Sequence, residues 1–372
     1  MERFYTLAKR TLYASMVCAA VALPGVPAWA ESITDSYFVA IGDSYTGAYA
    51  SHGARRGNHR SWIEQLDSFN SEGNFQNLAV SGATTQSAQT FGDPKYQLDD
   101  ALSAIHGNGA GVVVIGLGVN DFTSVFESDT AMTQAQANSA ADAAFSSMVS
   151  LVDALLDPTA GNAGAQIVIS NSVDRTHWAI RATSEHDLNR DVTSAAIRRF
   201  NQLVADEFSG SRGLAVVDSY RLLEDLLAGD PDDSNAGTGP NGELFIAGQQ
   251  IDIDPLNALN PDGSGVTRQP SDHLWADGAH PGSIYQGLYA NVVLTALQET
   301  YGVDAGPKGL LGIDDIFDMA NVLNPSDGVL LSASDTDYTF DYANYILPEP
   351  GSAAALLALA GLVSARRRRG SV

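Results

Sequence analysis

Five positions in this chain carry groups that together could attack and cleave an acyl bond. Ser44 lies in Gly42-Asp43-Ser44-Tyr45, directly after the apolar run Tyr37-Phe38-Val39-Ala40-Ile41. A serine at a strand-to-helix turn has its hydroxyl exposed and the amides of the next helix beneath it, which suits a nucleophile and begins an oxyanion hole. Such a serine needs a base, and the base needs an orienting carboxylate. Asp277-Gly278-Ala279-His280-Pro281 offers both, close enough to share one turn. Gly82, in Ser81-Gly82-Ala83, lets a backbone N–H approach a substrate oxygen. Asn120, in Gly116-Leu117-Gly118-Val119-Asn120-Asp121, adds a side-chain amide donor.

Singly, each motif has a commoner role. Gly-Asp-Ser and Asn-Asp are frequent turn sequences, and Asp-x-x-His can be a capped helix start or half of a metal site. Their joint occurrence, in order and just after apolar runs, points to acyl transfer. His273, beside Asp272, competes with His280 for the role of base. Asp277, His280 and His273 could instead serve a metal-dependent hydrolase. Asp43 and Asp121 read as structural, orienting their loops.

The elements that must hold these residues follow from hydropathy. Short β-rich runs recur at 37–41, Asn77-Leu78-Ala79-Val80, Val112-Val113-Val114-Ile115, Ile167-Val168-Ile169 and Leu214-Ala215-Val216-Val217. Between them lie stretches long enough for crossover helices, with helical apolar spacing at 144–156 and 197–208, and a last helix is expected over 284–300. Strands alternating with helices imply a parallel sheet of five strands covered on both faces, an α/β fold. Ligands of such sheets bind beyond the carboxyl ends of the strands, where Ser44, Gly82 and Asn120 fall.

These separated blocks resemble the sequence blocks of the GDSL or SGNH hydrolase family over roughly 36–301. The resemblance implies a flavodoxin-like, three-layer α/β/α sandwich with a five-stranded parallel sheet. It also implies a Ser44, Asp277, His280 triad, with His280 as base toward Ser44 and acid toward the leaving alkoxide. The oxyanion hole would comprise the Ser44 and Gly82 backbone N–H groups and the Asn120 side chain. Tyr45 departs from the pattern, where leucine is more usual. The implied activity is hydrolysis of carboxylic esters through an acyl-serine, of esterase or lipase type, on a lipid ester, a short ester or acetylated polysaccharide. A surface or matrix binding protein that kept the fold without turnover is the alternative of another class. The Gly-x-Ser-x-Gly elbow of α/β-hydrolases is absent, as are a His-Glu-x-x-His zinc motif, a Walker loop and a dinucleotide fingerprint, so neither cofactor nor metal is expected.

The stretch 228–265 is rich in Gly, Asn, Asp and Pro and reads as a long excursion near the active face. Its carboxylates Asp230, Asp232, Asp233, Asp252 and Asp254 could bind calcium, although they do not match an EF-hand, and a solvated acidic loop is the plainer reading. A short helix is expected at 314–323.

At the N-terminus, Arg3, Lys9 and Arg10 precede an apolar stretch and Ala28-Trp29-Ala30, the pattern of a cleaved secretory signal. Cleavage removes Cys18, the one cysteine, and with it any disulfide or cysteine catalysis. At the other end, Pro348-Glu349-Pro350, an apolar run and Arg366 to Arg369 resemble a PEP-CTERM sorting tail, which an exosortase recognises. The expected organisation is a signal peptide at 1–30, a hydrolase domain at 34–302, a spacer or accessory segment at 303–346 and the sorting signal with a short transmembrane helix at 347–372. The implied partners are the secretion and exosortase machinery, and the implied destination is the cell surface or matrix after transient anchoring in the inner membrane. The formal net charge of −24 and the scattered arginines leave no basic patch for nucleic acid.

Overall fold

Five strands, β1 (Tyr37–Gly42), β2 (Asn74–Asn77), β3 (Gly111–Gly116), β4 (Gln166–Ser170) and β5 (Ala215–Val217), form one parallel sheet in the order β2-β1-β3-β4-β5. The computed structural model describes residues 37–47, 49, 59–70, 74–108, 111–160, 164–178, 187–228, 244–253, 273–306, 308–321 and 339–347. Seven helices matter here: α1 (Trp62–Phe69), α2 (Leu98–Asn108), α3 (Gln134–Leu156), α4 (Arg190–Val204), α5 (Ser219–Ala228), α6 (Ser283–Tyr301) and α7 (Ile313–Asn321). This is the α/β fold expected of the sequence.

Strand alternation sorts the core into two layers. Phe38, Ala40, Val112, Val114, Val168 and Val217 face α1, α5, α6 and α7. Val39, Ile41, Val113, Ile115, Ile167 and Ile169 face α2, α3 and α4. Both faces of each central strand are therefore buried, which is why these strands read as continuous apolar runs. Each such valine, isoleucine or phenylalanine side chain is worth about 1.5–3 kcal/mol on burial. Helix α3 is long and apolar enough to cross a membrane, but its apolar residues, among them Ala141, Met148 and Leu155, pack into the second layer.

Three elements differ from the expectation. The second strand is Asn74–Asn77, not the apolar run 77–80. At a sheet edge a polar strand suffices, and the Asn77 side chain accepts the Ala79 N–H and turns the chain while Leu78 and Val80 still donate to the carbonyls of Ala40 and Gly42. Beyond α4 the chain continues as a wider π-turn over Ala205–Ser211. Within the excursion expected to lack periodicity stands a hairpin, β6 (Leu244–Ile246) and β7 (Gln249–Ile251), joined by Ala247 and Gly248 at φ 48° and 75°. Positive φ at both turn residues matches the strand twist of a tight hairpin. The remaining acids of that excursion, Asp230, Asp232, Asp233 and Asp254, lie outside the described residues, as do 1–30, expected to be a signal peptide, and 348–372 of the expected sorting tail.

Helix α7 adds Ile316, Phe317 and Ala320 to the first layer. Tyr345 O accepts from Asp218 N at 2.8 Å, and Leu347 N donates to Val216 O at 2.9 Å, so residues 345–347 cover the β5 edge.

Candidate active site

Ser44 sits in the loop that leaves the carboxyl end of β1. Gly42 is the pivot: a Cβ there would come within 2.6 Å of the Thr46 side chain and 3.0 Å of the Gly116 carbonyl. The buried Gln97 side chain clamps both sides of this residue, accepting from Gly42 N and donating to Gly42 O at 2.9 Å each. Asp43 then turns the loop, its carboxylate accepting from Tyr45 N at 2.9 Å and its carbonyl accepting from Gly47 N at 2.8 Å. On the core side, a cavity of about 40 Å³ is lined by Asp43, Tyr45, Thr46, Trp62 and Asn171, among others.

The ring that meets Ser44 belongs to His280. His280 Nε2 lies 2.9 Å from Ser44 Oγ, and Nδ1 lies 2.8 and 2.9 Å from the two oxygens of Asp277. Burial alone would raise the Asp277 carboxyl, but hydrogen bonds from the His280 ring and from the amides of Ala279 and His280 outweigh it and hold it below the ordinary value. An ionised carboxylate can only accept, so Nδ1 carries the ring proton and Nε2 is left to accept from the serine hydroxyl. His273, the competing base, is fully buried, accepts from Trp275 N at 3.2 Å, and has its Nε2 3.7 Å from Asp252.

Gly82 and Asn120 lie on neighbouring loops. Gly82 adopts φ +74°, where a side chain would be strained, and its carbonyl accepts from Lys95 Nζ at 2.6 Å. Asn120 Nδ2 donates to Asp43 Oδ2 and to Ala83 O, both at 3.2 Å, which brings it to the Ser44 loop. Asp121 accepts from Thr85 N and Thr85 Oγ1 at 3.0 and 2.7 Å and so ties the Asn120 loop to the Gly82 loop. Burial pushes the Asp121 carboxyl up to about 6 against the lowering effect of those bonds.

Gln97, Arg175 and Trp178 were not singled out by sequence reasoning. Their roles depend on partners distant in the chain, as when Gln97 meets Gly42 across 55 residues. Trp178 stacks on the His280 ring at 6.2 Å and 29°.

Among the described residues, one grouping brings three potential metal ligands within 4.8 Å of one another: Asp174, His177 and Glu224. It does not include Asp277, His280 or His273. Asp174 already accepts from Thr176 N and Ser194 Oγ, and His177 Nε2 is 2.6 Å from Glu224. Burial disfavours charge on His177, yet Glu224 outweighs it and raises the imidazole above its ordinary value, as an ion pair requires.

A family model described as GDSL-like Lipase/Acylhydrolase family matches residues 40–246. The chain belongs to this family. Solved structures similar to this chain include phospholipase A1 from Streptomyces albidoflavus NA297, at 19% identity and a TM-score of 0.37, covering 51% of this chain and 82% of that one. An extracellular lipase from Streptomyces rimosus is 20% identical with a TM-score of 0.36, covering 55% and 86%. A member of the lipolytic protein G-D-S-L family from Veillonella parvula DSM 2008 is 14% identical with a TM-score of 0.38, covering 72% and 98%. No curated protein matches the chain.

Proposed function

We propose that this GDSL-like acylhydrolase is a serine carboxylic ester hydrolase working through an acyl-serine intermediate. The observation that carries the reading is the single imidazole of His280 bridging Ser44 Oγ at 2.9 Å and Asp277 at 2.8 Å. In this reading Ser44 Oγ attacks the ester carbonyl carbon as its proton passes to His280 Nε2. Asp277 stabilises the resulting imidazolium without taking its proton. The tetrahedral oxyanion is met by the N–H groups of Ser44 and Gly82 and by Asn120 Nδ2, which exchanges its long bond to Ala83 O for a stronger one to a charged oxygen. Collapse breaks the ester C–O bond, and the leaving alkoxide takes the proton from His280. Water then attacks the acyl-serine by the same route, releasing the carboxylic acid and restoring Ser44.

The decisive test compares purified wild type with Ser44→Ala on p-nitrophenyl esters of short and long acyl chains and on acetylated polysaccharide. Fluorophosphonate labelling is followed in parallel, with and without prior chelation. Wild type is expected to turn over, to be labelled at Ser44 and to keep its activity after chelation, while the variant neither turns over nor is labelled. Equal turnover by both proteins would sink the serine mechanism. Equal inactivity on the whole panel would favour a binding protein on the same fold. The panel also separates lipase, short-chain esterase and O-acetylesterase.

For the cell biology, we propose export through the inner membrane by the segment 1–30, transient anchoring by 347–372 and release to the surface or matrix by sorting machinery, with 34–302 as the hydrolase domain. The signal-like N-terminus and the Pro-Glu-Pro, apolar and arginine-rich order of the tail support this. Fractionation of cells expressing the chain with and without residues 348–372 tests it: retention of both forms in the cytoplasm would overturn it.

A further inference from the structure

Behind His280 stand aromatic rings and one buried cation to which the mechanism gives no part. The Trp178 indole N–H donates to Tyr45 Oη at 2.6 Å, and the Tyr45 hydroxyl donates to the Ala279 carbonyl at 2.7 Å, across 234 residues of chain. Burial raises Tyr45 well above the ordinary phenol value, so the hydroxyl remains a donor. The His280 ring meets Tyr45 edge-on at 5.6 Å, Tyr49 edge-on at 6.4 Å and Trp178 stacked at 6.2 Å.

The cation is Arg175, 1% exposed, with its guanidinium 4.5 Å from the Trp178 ring centroid. Its Nη1 donates to the Val119 carbonyl at 3.2 Å and to the Thr123 hydroxyl, and its Nη2 donates to Glu127 at 3.1 Å. Thr123 in turn donates to the Asn120 carbonyl at 2.8 Å. One side chain thus touches the loop that carries Asn120 and the wall that backs His280.

These contacts matter because His280 stands on a bend outside the helices and strands, just before α6. One isolated antiparallel bridge, Trp275 to Pro281, closes the bend on itself. The internal anchors of the bend include the Ala279 and His280 amides on Asp277, the Ala276 amide on the His280 carbonyl and the Gly282 amide on the Leu274 carbonyl. Tyr45 supplies an anchor from the nucleophile loop itself, one residue from Ser44. A leucine at that position would have no donor to give.

We propose that Tyr45, Trp178 and Arg175 are positioning residues that clamp the His280 bend to the nucleophile loop and tie both to the Asn120 loop. The proposal rests on the reading of Ser44, His280 and Asp277 as the reacting groups. Displacements near 1 Å in such a constellation can cost about 10²-fold in rate, so the clamp is expected to act on turnover and not on substrate binding.

The test uses Tyr45→Phe, which keeps the ring and deletes the hydroxyl, Trp178→Phe, which deletes the indole donor, and the double variant. Turnover of p-nitrophenyl acetate is measured together with the proton resonance of the His280 Nδ1–H that faces Asp277, assigned by its loss in Asp277→Asn. Tyr45→Phe is expected to lower kcat roughly 10- to 100-fold with KM within about 2-fold, and to broaden the resonance. Because both single changes break one chain of bonds, the double variant should fall no more than about 2-fold below Tyr45→Phe. Arg175→Lys, if it folds, should likewise lower kcat at constant KM. Wild-type kcat with an unchanged resonance in Tyr45→Phe, or fully multiplicative losses in the double variant, would overturn the clamp. If wild type itself shows no Ser44-dependent turnover, the esterase reading fails, and the resonance alone then decides the clamp.

Discussion

Asn120 is already engaged before a substrate arrives. Its two Nδ2 hydrogens point at Asp43 Oδ2 and Ala83 O over 3.2 Å, longer than a strong N–H···O bond. Such long contacts orient the amide while leaving it able to turn to a better acceptor, and an oxyanion is one. Asn120→Ala should therefore lower kcat by about 10²–10³-fold while KM changes little. Steady-state kinetics on a p-nitrophenyl ester checks this, and a rise in KM at constant kcat would assign Asn120 to ground-state binding instead. At this scale the sequence was informative wherever the cue is local. A serine just after a strand, a glycine at a loop turn and an acid three residues before a histidine are patterns of a few residues. Gln97 was not legible, because a glutamine has no function until the fold brings Gly42 against it.

Among the elements, α6 sets the end of the chain against the sheet. It is buried on nearly every side from Ser283 to Leu297 and stops at Gly302, which takes φ +70° and accepts the left-handed cap. Gly287 lets α7 and α1 approach this helix: a Cβ there would lie 2.7 Å from Ile316 Cγ2 and from Gln65 Oε1. Gly287→Ala should push Ile316 away and lower stability by about 1–3 kcal/mol despite the better helix propensity of alanine. Thermal unfolding measures this, and a raised Tm would mean that α7 yields freely. The strand positions show the same logic from the other side. Central strands β1, β3 and β4 are buried on both faces and announce themselves as apolar runs, whereas edge strand β2 is half-exposed and polar, so the neighbouring apolar run at 78–80 drew the sequence reading. The hairpin of β6 and β7 was legible in principle from two three-residue runs around Ala247-Gly248, but such short strands give too few residues for a period.

Taken as a whole, the molecule should lose stability in acid partly through one buried imidazole. His59 is 1% exposed, accepts from Ser283 N at 3.2 Å, and its Nε2 has no hydrogen-bond partner among the described residues. Burial, aided by nearby His273 and opposed by Asp277, lowers its pKa to about 3. The unfolded chain takes up this proton near pH 6.5 and the folded one only near 3. The contribution to stability is thus fully present above about pH 6.5 and is lost as pH falls toward 3. His59→Gln keeps an acceptor for Ser283 N and cannot titrate, so its Tm should fall less steeply than that of wild type between pH 7 and 4. Parallel Tm curves would show that His59 is not the group responsible. The comparison isolates His59 from Asp121, whose raised value of about 6 works in the opposite direction, with stability lost as pH rises through it.

Read along the chain, the residues themselves were enough for the alternation of strands and helices, the parallel sheet and the identity of the five candidate groups, because periodicity and turn chemistry act over a few positions. What they could not carry was distance. Ser44 and His280 stand 236 residues apart and meet at 2.9 Å, and His280 rather than His273 meets the serine, only because α6 and the bend before it dock on the first core layer. The same holds for Tyr45, which reads as a departure in sequence and becomes, once folded, the donor to the Ala279 carbonyl. Packing between distant segments chooses such partners, and no local pattern encodes it.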